Sequence, residues 1–187
     1  MGEDAYDRWL EPTIRDYALA SFQEGRPILE AGVELMNRIR DDFAYDPAAT
    51  ETTTPIAEAF AMRHGVCQDF AHVMISGLRG LGLPAAYVSG YLRTMPPPGQ
   101  PRLEGADATH AWVSLWCGPQ LGWQGLDPTN ALRTATDHIV LAVGRDFADV
   151  SPLDGVILVG GGHTHSVAVD VIPRDELSQP LHSSGND

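Results

Sequence analysis

Apolar residues along the first half of the chain recur at helical spacing. Ile14, Tyr17, Ala18 and Phe22 mark one short stretch. Ile28, Ala31, Leu35, Ile39 and Phe43 form a longer stripe, which predicts a helix over residues 27–43. Pro27 suits its first turn, where no amide donor is needed. Residues 46–54 are polar and read as a loop. Thr54 before Pro55 predicts an N-cap and a proline at the first helical position of a short helix over 56–64, stopped by Gly65. Phe70, Ala71, Met74, Ile75 and Leu78 then repeat with helical period. That helix begins near Cys67 and ends in the turn at residues 80–84.

Beyond Pro84 the period changes. Residues 85–92 read as a buried strand, and 110–116 and 123–127 as two more. Further strands are predicted over 139–143 and 167–172, joined by a long glycine-rich connection. Residues 94–108 contain PPPGQP and read as a flexible loop. Helices first and strands later predict an α+β fold, with the N-terminal helices packed on an antiparallel sheet. The chain divides into a helical lead-in at 1–26, a core at 27–173 and a polar, mobile tail at 174–187.

The chain has 187 residues, of which 43% are hydrophobic, enough for a real core. Twelve basic against 25 acidic residues give a net charge of −13. Such a surface repels phosphate backbones and anionic lipid, so nucleic acid and membrane surfaces are not expected partners. The acidic start MGEDAYDRWLEPT lacks the apolar core of a signal peptide. A cytoplasmic location is therefore expected. The two cysteines, Cys67 and Cys117, are too few for a disulfide framework and lack zinc-knuckle spacing.

Cys67 falls where a helix begins. The unpaired amides of a first helical turn favour a thiolate and can hold the oxyanion of a tetrahedral intermediate. The competing reading is a small buried apolar side chain. A thiol nucleophile benefits from a base, and the base from an orienting carboxylate. THAWVSLW and GWQGLDPTN supply both. A hairpin centred between Gly118 and Pro119 pairs His110 with Asp127 and Trp112 with Gly125, with opposed Cβ atoms about 5 Å apart. Taken singly, His110 reads as a strand histidine and Asp127 as a turn former before Pro128. The order Cys, His, Asp makes three separate accidents the less economical account.

The stretches GVCQDFAH (65–72), YVSGYL (87–92), HAWV (110–113), GWQGLDPTN (122–130) and AVGRDFADVSP (142–152) together resemble the transglutaminase-like superfamily, particularly its bacterial cysteine peptidase branch. The likeness spans roughly residues 27–172. It implies a papain-like α+β fold, with Cys67 as nucleophile, His110 as general acid/base and Asp127 as its orienter. Bacterial members usually carry an additional N-terminal β-rich domain, so this chain resembles a fragment or a short version. Ala86 replaces a frequent arginine, and Ser114 a common acidic residue. No tryptophan matches the one that animal transglutaminases place ahead of the cysteine, which argues against protein crosslinking.

Gln68, Tyr91 and Trp112 are candidates to line the acyl or oxyanion site, although a solvated first turn, a half-buried strand position and core packing account for them as well. His163 and His165 lack a completing ligand set, so no metal is expected, and no cofactor is called for. His72 lies about 140° round the helix from Cys67 and is not its base. Arg145 and Asp146 read as structural polar contacts, with binding of a charged substrate group as the other option. The expected activity is thiol-dependent acyl transfer on amide bonds of a peptide or protein, hydrolysis favoured by family analogy. The alternatives are protein-glutamine transamidation with an amine acceptor, or a non-catalytic peptide-binding module on the same scaffold.

Overall fold

The structure, a computed structural model, describes residues 11–94, 108–151 and 168–174. Helix α1 (Pro12–Leu19) is followed by α2 (Ile28–Asp42), strand β1 (Ala44–Tyr45), α3 (Ile56–Met62), β2 (His64–Gly65) and α4 (Cys67–Gly80). The strands β3 (Ala85–Leu92), β4 (Ala108–Trp116), β5 (Trp123–Asp127), β6 (Leu132–Arg133) and β7 (His138–Gly144) complete the order, with a 3-10 turn at Phe147–Asp149. The last five strands form one sheet in the order β6-β5-β4-β3-β7, antiparallel throughout. The α+β expectation holds. Among the described residues, no helix is long and apolar enough to cross a membrane.

Helix α4 is the central packing element. Phe70, Ala71, Val73, Met74, Ile75 and Leu78 are all buried, so it is apolar nearly all round. Ile14 and Ala18 of α1 and Leu35, Met36 and Ile39 of α2 share its core, and so do Ala111, Val113 and Leu115 of β4. These three β4 residues alternate into the helix side, which leaves His110 and Trp112 on the intervening positions. Tyr17, Phe43, Phe60 and Phe70 form an aromatic chain beside them, with the Arg63 guanidinium 3.9 Å over the Phe60 ring.

Local signals set most boundaries, with small corrections. Pro27 and Pro55 occupy N-cap positions, each one residue before the first helical turn. Thr54 is not the cap. Its hydroxyl accepts from the Glu51 amide at 2.9 Å instead. Helix α3 ends at Met62, two residues short of the expected stop before Gly65, and Arg63 takes the left-handed conformation at φ 59° that closes it. The chain can then enter β2, which pairs in parallel with β1. That pair fixes the backbone just before Cys67, with the Asp46 amide donating to the Gly65 carbonyl at 2.9 Å. Of the strand expected over 167–172, the described part shows only an isolated bridge at Val169. His163, His165 and nearly all of the 94–108 loop and of the tail lie outside the described residues.

Candidate active site

Cys67 is the first residue of α4, and Asp69 organises that turn. The Asp69 carboxylate, largely buried, accepts from the Val66 amide at 2.8 Å and from the Thr50 hydroxyl at 2.6 Å. The first ties the helix start as a capping carboxylate does, and the second ties it to the preceding loop. Gly65 makes room for this reach: a Cβ there would stand 2.5 Å from Asp69 Oδ2.

The β4–β5 hairpin corrects the expected register. Ser114 pairs with Gly125, and Trp116 with Trp123, so continuing the ladder sets Asp127 opposite Trp112 rather than His110. The cause is the turn. The Cys117 amide donates to the Gly122 carbonyl at 2.9 Å, closing the four-residue loop 118–121, with Gly118 at φ 89° as its first residue and Gly122 at φ 64° just beyond it. The ladder slips by two residues, and because strand side chains repeat every second residue, Asp127 keeps its face. His110 therefore still meets Asp127 diagonally, with Nε2 to Oδ2 at 2.8 Å. That leaves Nδ1 free to face Cys67, whose hydrogen bonding and charge help to raise this imidazole.

Asp127 is completely buried. Its Oδ1 accepts from the Thr129 and Asn130 amides at 3.0 and 3.2 Å, the pattern of an Asx turn. Its Oδ2 accepts from His110, from Asn130 Nδ2 at 2.8 Å and from His138 Nε2 at 3.2 Å. Burial alone would raise this carboxyl. The hydrogen bonds from His110, His138 and Asn130 and the His110 charge reverse that and hold it well below the usual carboxylate range. Burial alone would lower His110. Hydrogen bonds and charge from Asp127 and Cys67 outweigh it and lift the imidazole to about 9. At neutral pH this is a buried carboxylate beside an imidazolium.

Cys67, His110, Tyr45, Arg40, Thr129 and Asn130 line one cavity of about 320 Å³. A larger cavity of about 550 Å³ holds Gln68, Asp69 and His72 with the threonines at 52–54, and no cysteine is among its described lining residues. Gln68 thus opens away from Cys67, its amide 3.4 Å from the Thr52 carbonyl. Trp112 is 2% exposed and packs between His110 and His138, with ring centroids 6.0 and 5.2 Å away. Tyr91 is half-buried opposite Thr109 and does not line the Cys67 cavity. His72 faces away, stacked on Tyr87, and its Nε2 accepts from the Phe147 amide at 3.3 Å. Arg145 pairs with Asp149 at 2.7 Å, and Asp146 caps the 3-10 turn.

Two residues of the network carry no role in the sequence reading. Asn130 had a local signal, standing three residues after Asp127 in the DPTN turn. His138 had none, because β7 reaches the site across β3 and β4. His110, Asp127 and His138 offer three ligand-type atoms within 4.8 Å of one another, close enough to hold a metal. Hydrogen bonding accounts for this spacing. The Ala135 amide donates to His138 Nδ1 at 3.4 Å, so the neutral ring carries its proton on Nε2, where a metal would need a lone pair.

The sequence profile of the transglutaminase-like superfamily matches residues 16–128, and the chain belongs to that superfamily. It is 48% identical over 164 residues to an uncharacterized protein of Mycobacterium tuberculosis, a match covering 86% of this chain and 52% of that one. It is 37% identical over 92 residues to a protein-glutamine gamma-glutamyltransferase of Pseudomonas aeruginosa, over 48% of this chain and 14% of that protein. A Cytophaga hutchinsonii structure, provisionally described as a cysteine protease, shares the fold with a TM-score of 0.62 and 24% identity. That likeness covers 81% of this chain and 50% of the other. The chain spans about half the length of the curated mycobacterial relatives it matches.

Proposed function

We propose that this chain is a thiol-dependent acyltransferase acting on amide bonds of a peptide or protein, with Cys67 as nucleophile, His110 as general acid and base, and Asp127 as orienter. The observation that carries the reading is the buried Asp127 carboxylate 2.8 Å from His110 Nε2, in a cavity that His110 shares with Cys67. The Cys67 sulfur attacks the carbonyl carbon, and a carbon–sulfur bond forms. The charge on the carbonyl oxygen is met by amides of the first turn of α4. His110 gives its Nδ1 proton to the leaving nitrogen, and the carbon–nitrogen bond breaks. Water or an amine then attacks the thioester, gives its proton to His110 and releases Cys67.

Hydrolysis is the favoured second half-reaction by analogy with compact bacterial members of the family, and Trp9 does not match the tryptophan that animal transglutaminases place ahead of the cysteine. The likeness to a glutamyltransferase favours the amine alternative, through the same thioester. The test incubates the protein with dimethylcasein, with and without a dansylated amine, beside Cys67→Ser. Cleavage or deamidation that needs Cys67 supports the hydrolase. Dansyl incorporation that needs Cys67 supports the transglutaminase. Activity surviving in Cys67→Ser would rule out both.

A further inference from the structure

His138 is set into the network with unusual care for a residue at the start of an edge strand. Its side chain is only 4% exposed. Its backbone amide donates to the Ala135 carbonyl at 3.1 Å, while its Nδ1 accepts from the Ala135 amide at 3.4 Å. This reciprocal pair fixes both the ring and its tautomer. The residue before it is held as well, with the Arg93 amide donating to the Asp137 carbonyl at 2.9 Å.

The sheet is shaped to let His138 approach. Gly90 pairs with His110 on one side and Val140 on the other, and the β3–β7 ladder slips between Ser89 and Gly90, leaving Leu141 as an extra residue on β7. A Cβ on Gly90 would run into the Ile139 carbonyl and stand 2.5 Å from Trp112 Cη2. The missing side chain lets β7 and the Trp112 ring close over this point. His138 packs edge-on against that ring.

We propose that His138 is a positioning residue: a neutral imidazole that donates Nε2–H to the same Asp127 oxygen that faces His110. Oδ1 is taken by two turn amides and Oδ2 by three side-chain donors, so the carboxylate can neither rotate nor take a proton easily. His138 supplies the donor furthest from Asp127 in sequence outside β4, and so ties the β5 end to the β7 start. Its role is to keep Asp127 aimed at His110 while sharing the carboxylate's charge. This assignment rests on the triad reading only for its catalytic consequence. The tautomer and the hydrogen bond stand apart from it.

The test has two readouts on the full chain. Long-range proton–nitrogen correlation spectra of histidine-labelled protein at pH 7 identify the tautomer of His138. Site-resolved iodoacetamide alkylation of Cys67 is then compared among wild type, His110→Ala, His138→Phe and His138→Gln. Phenylalanine keeps the packing on Trp112 without the donor. Glutamine restores a donor. Expected are an Nε2–H neutral ring, a loss of about tenfold or more in Cys67 alkylation for His138→Phe, and recovery of most of it in His138→Gln, in keeping with a hydrogen bond to a charged group. An Nδ1–H ring or an imidazolium overturns the proposal. So does His138→Phe alkylating like wild type, or both variants losing rate in step with melting temperature. If His110→Ala itself alkylates like wild type, the triad reading fails, and the spectrum still decides the state of His138.

Discussion

Replacing Asp127 with asparagine tests the network most severely. The new side chain is nearly isosteric, so the change is one of charge and of donors against acceptors. If the amide oxygen keeps the Thr129 and Asn130 backbone donors, the NH2 group faces three side-chain donors: His110 Nε2, His138 Nε2 and Asn130 Nδ2. Flipping it only moves the conflict to the turn. Removing one partner of a buried ion pair costs about 3–5 kcal/mol. The His110 shift from 6.5 to about 9, which Asp127 shares with Cys67, amounts in all to about 3 kcal/mol at about 1.4 kcal/mol per unit, the same order. The sign sets the pH window. His110 has a raised folded value, so its contribution is full below 6.5 and is lost as pH rises through about 9. Asp127 has a depressed one, so its contribution is present above 3.8 and is lost as pH falls below that. Urea unfolding followed by tryptophan fluorescence is expected to show a loss of about 3 kcal/mol at pH 5–6. At pH 10, where His110 is neutral, the loss should be smaller, leaving the cost of the donor conflict around the new amide. A difference below about 1 kcal/mol at pH 6, or one that does not change by pH 10, refutes the reasoning.

Other outcomes follow from neighbouring groups. Burial holds His72 neutral in the folded state, down to about 4, against the opposing pull of Asp146, so the wild type should lose about 3 kcal/mol between pH 6.5 and 4. His72→Phe keeps the stack on Tyr87 and should flatten that slope in urea titrations; equal slopes would contradict it. Asp69→Ala strands the Val66 amide and the Thr50 hydroxyl, and is expected to cost about 1–3 kcal/mol in unfolding free energy while slowing Cys67 alkylation. Thr50→Val should show a milder form of both. Burial pushes the Cys117 thiol up, so peptide mapping after alkylation at pH 7 should find Cys117 modified well after Cys67, and Cys117→Ser should leave Cys67 kinetics unchanged.

What the sequence revealed was local or periodic. The stripe from Ile28 to Phe43 became α2, and the apolar run after Cys67 became the central helix, because burial of a face at period 3.6 is written into single segments. His110 and Asp127 were placed together despite a wrong register, because an error of two residues preserves the face and an error of one would not. The turn was misjudged because two glycines with positive φ can close a hairpin at more than one centre. Thr54 looked like a cap, yet its hydroxyl is used by Glu51 within the loop, and tertiary pairing of β1 with β2 sets where α3 stops. His138 was invisible for a different reason. It lies 11 residues from Asp127 but reaches it only through the strand order β5-β4-β3-β7, a non-local fact that no spacing encodes. Trp112 read as a candidate cleft wall, with core packing favoured for at least one of Trp112 and Trp123, and the structure buries it between two histidines.

The central claim is that Cys67 and His110 act as one unit. It is tested most directly by the rate of Cys67 alkylation with iodoacetamide against pH, read site by site by mass spectrometry, in wild type and His110→Ala. Rapid reaction at pH 6 in the wild type, lost at least tenfold in His110→Ala while the fold is retained by circular dichroism, is the predicted result. Equal rates in the two proteins across the pH range would contradict it.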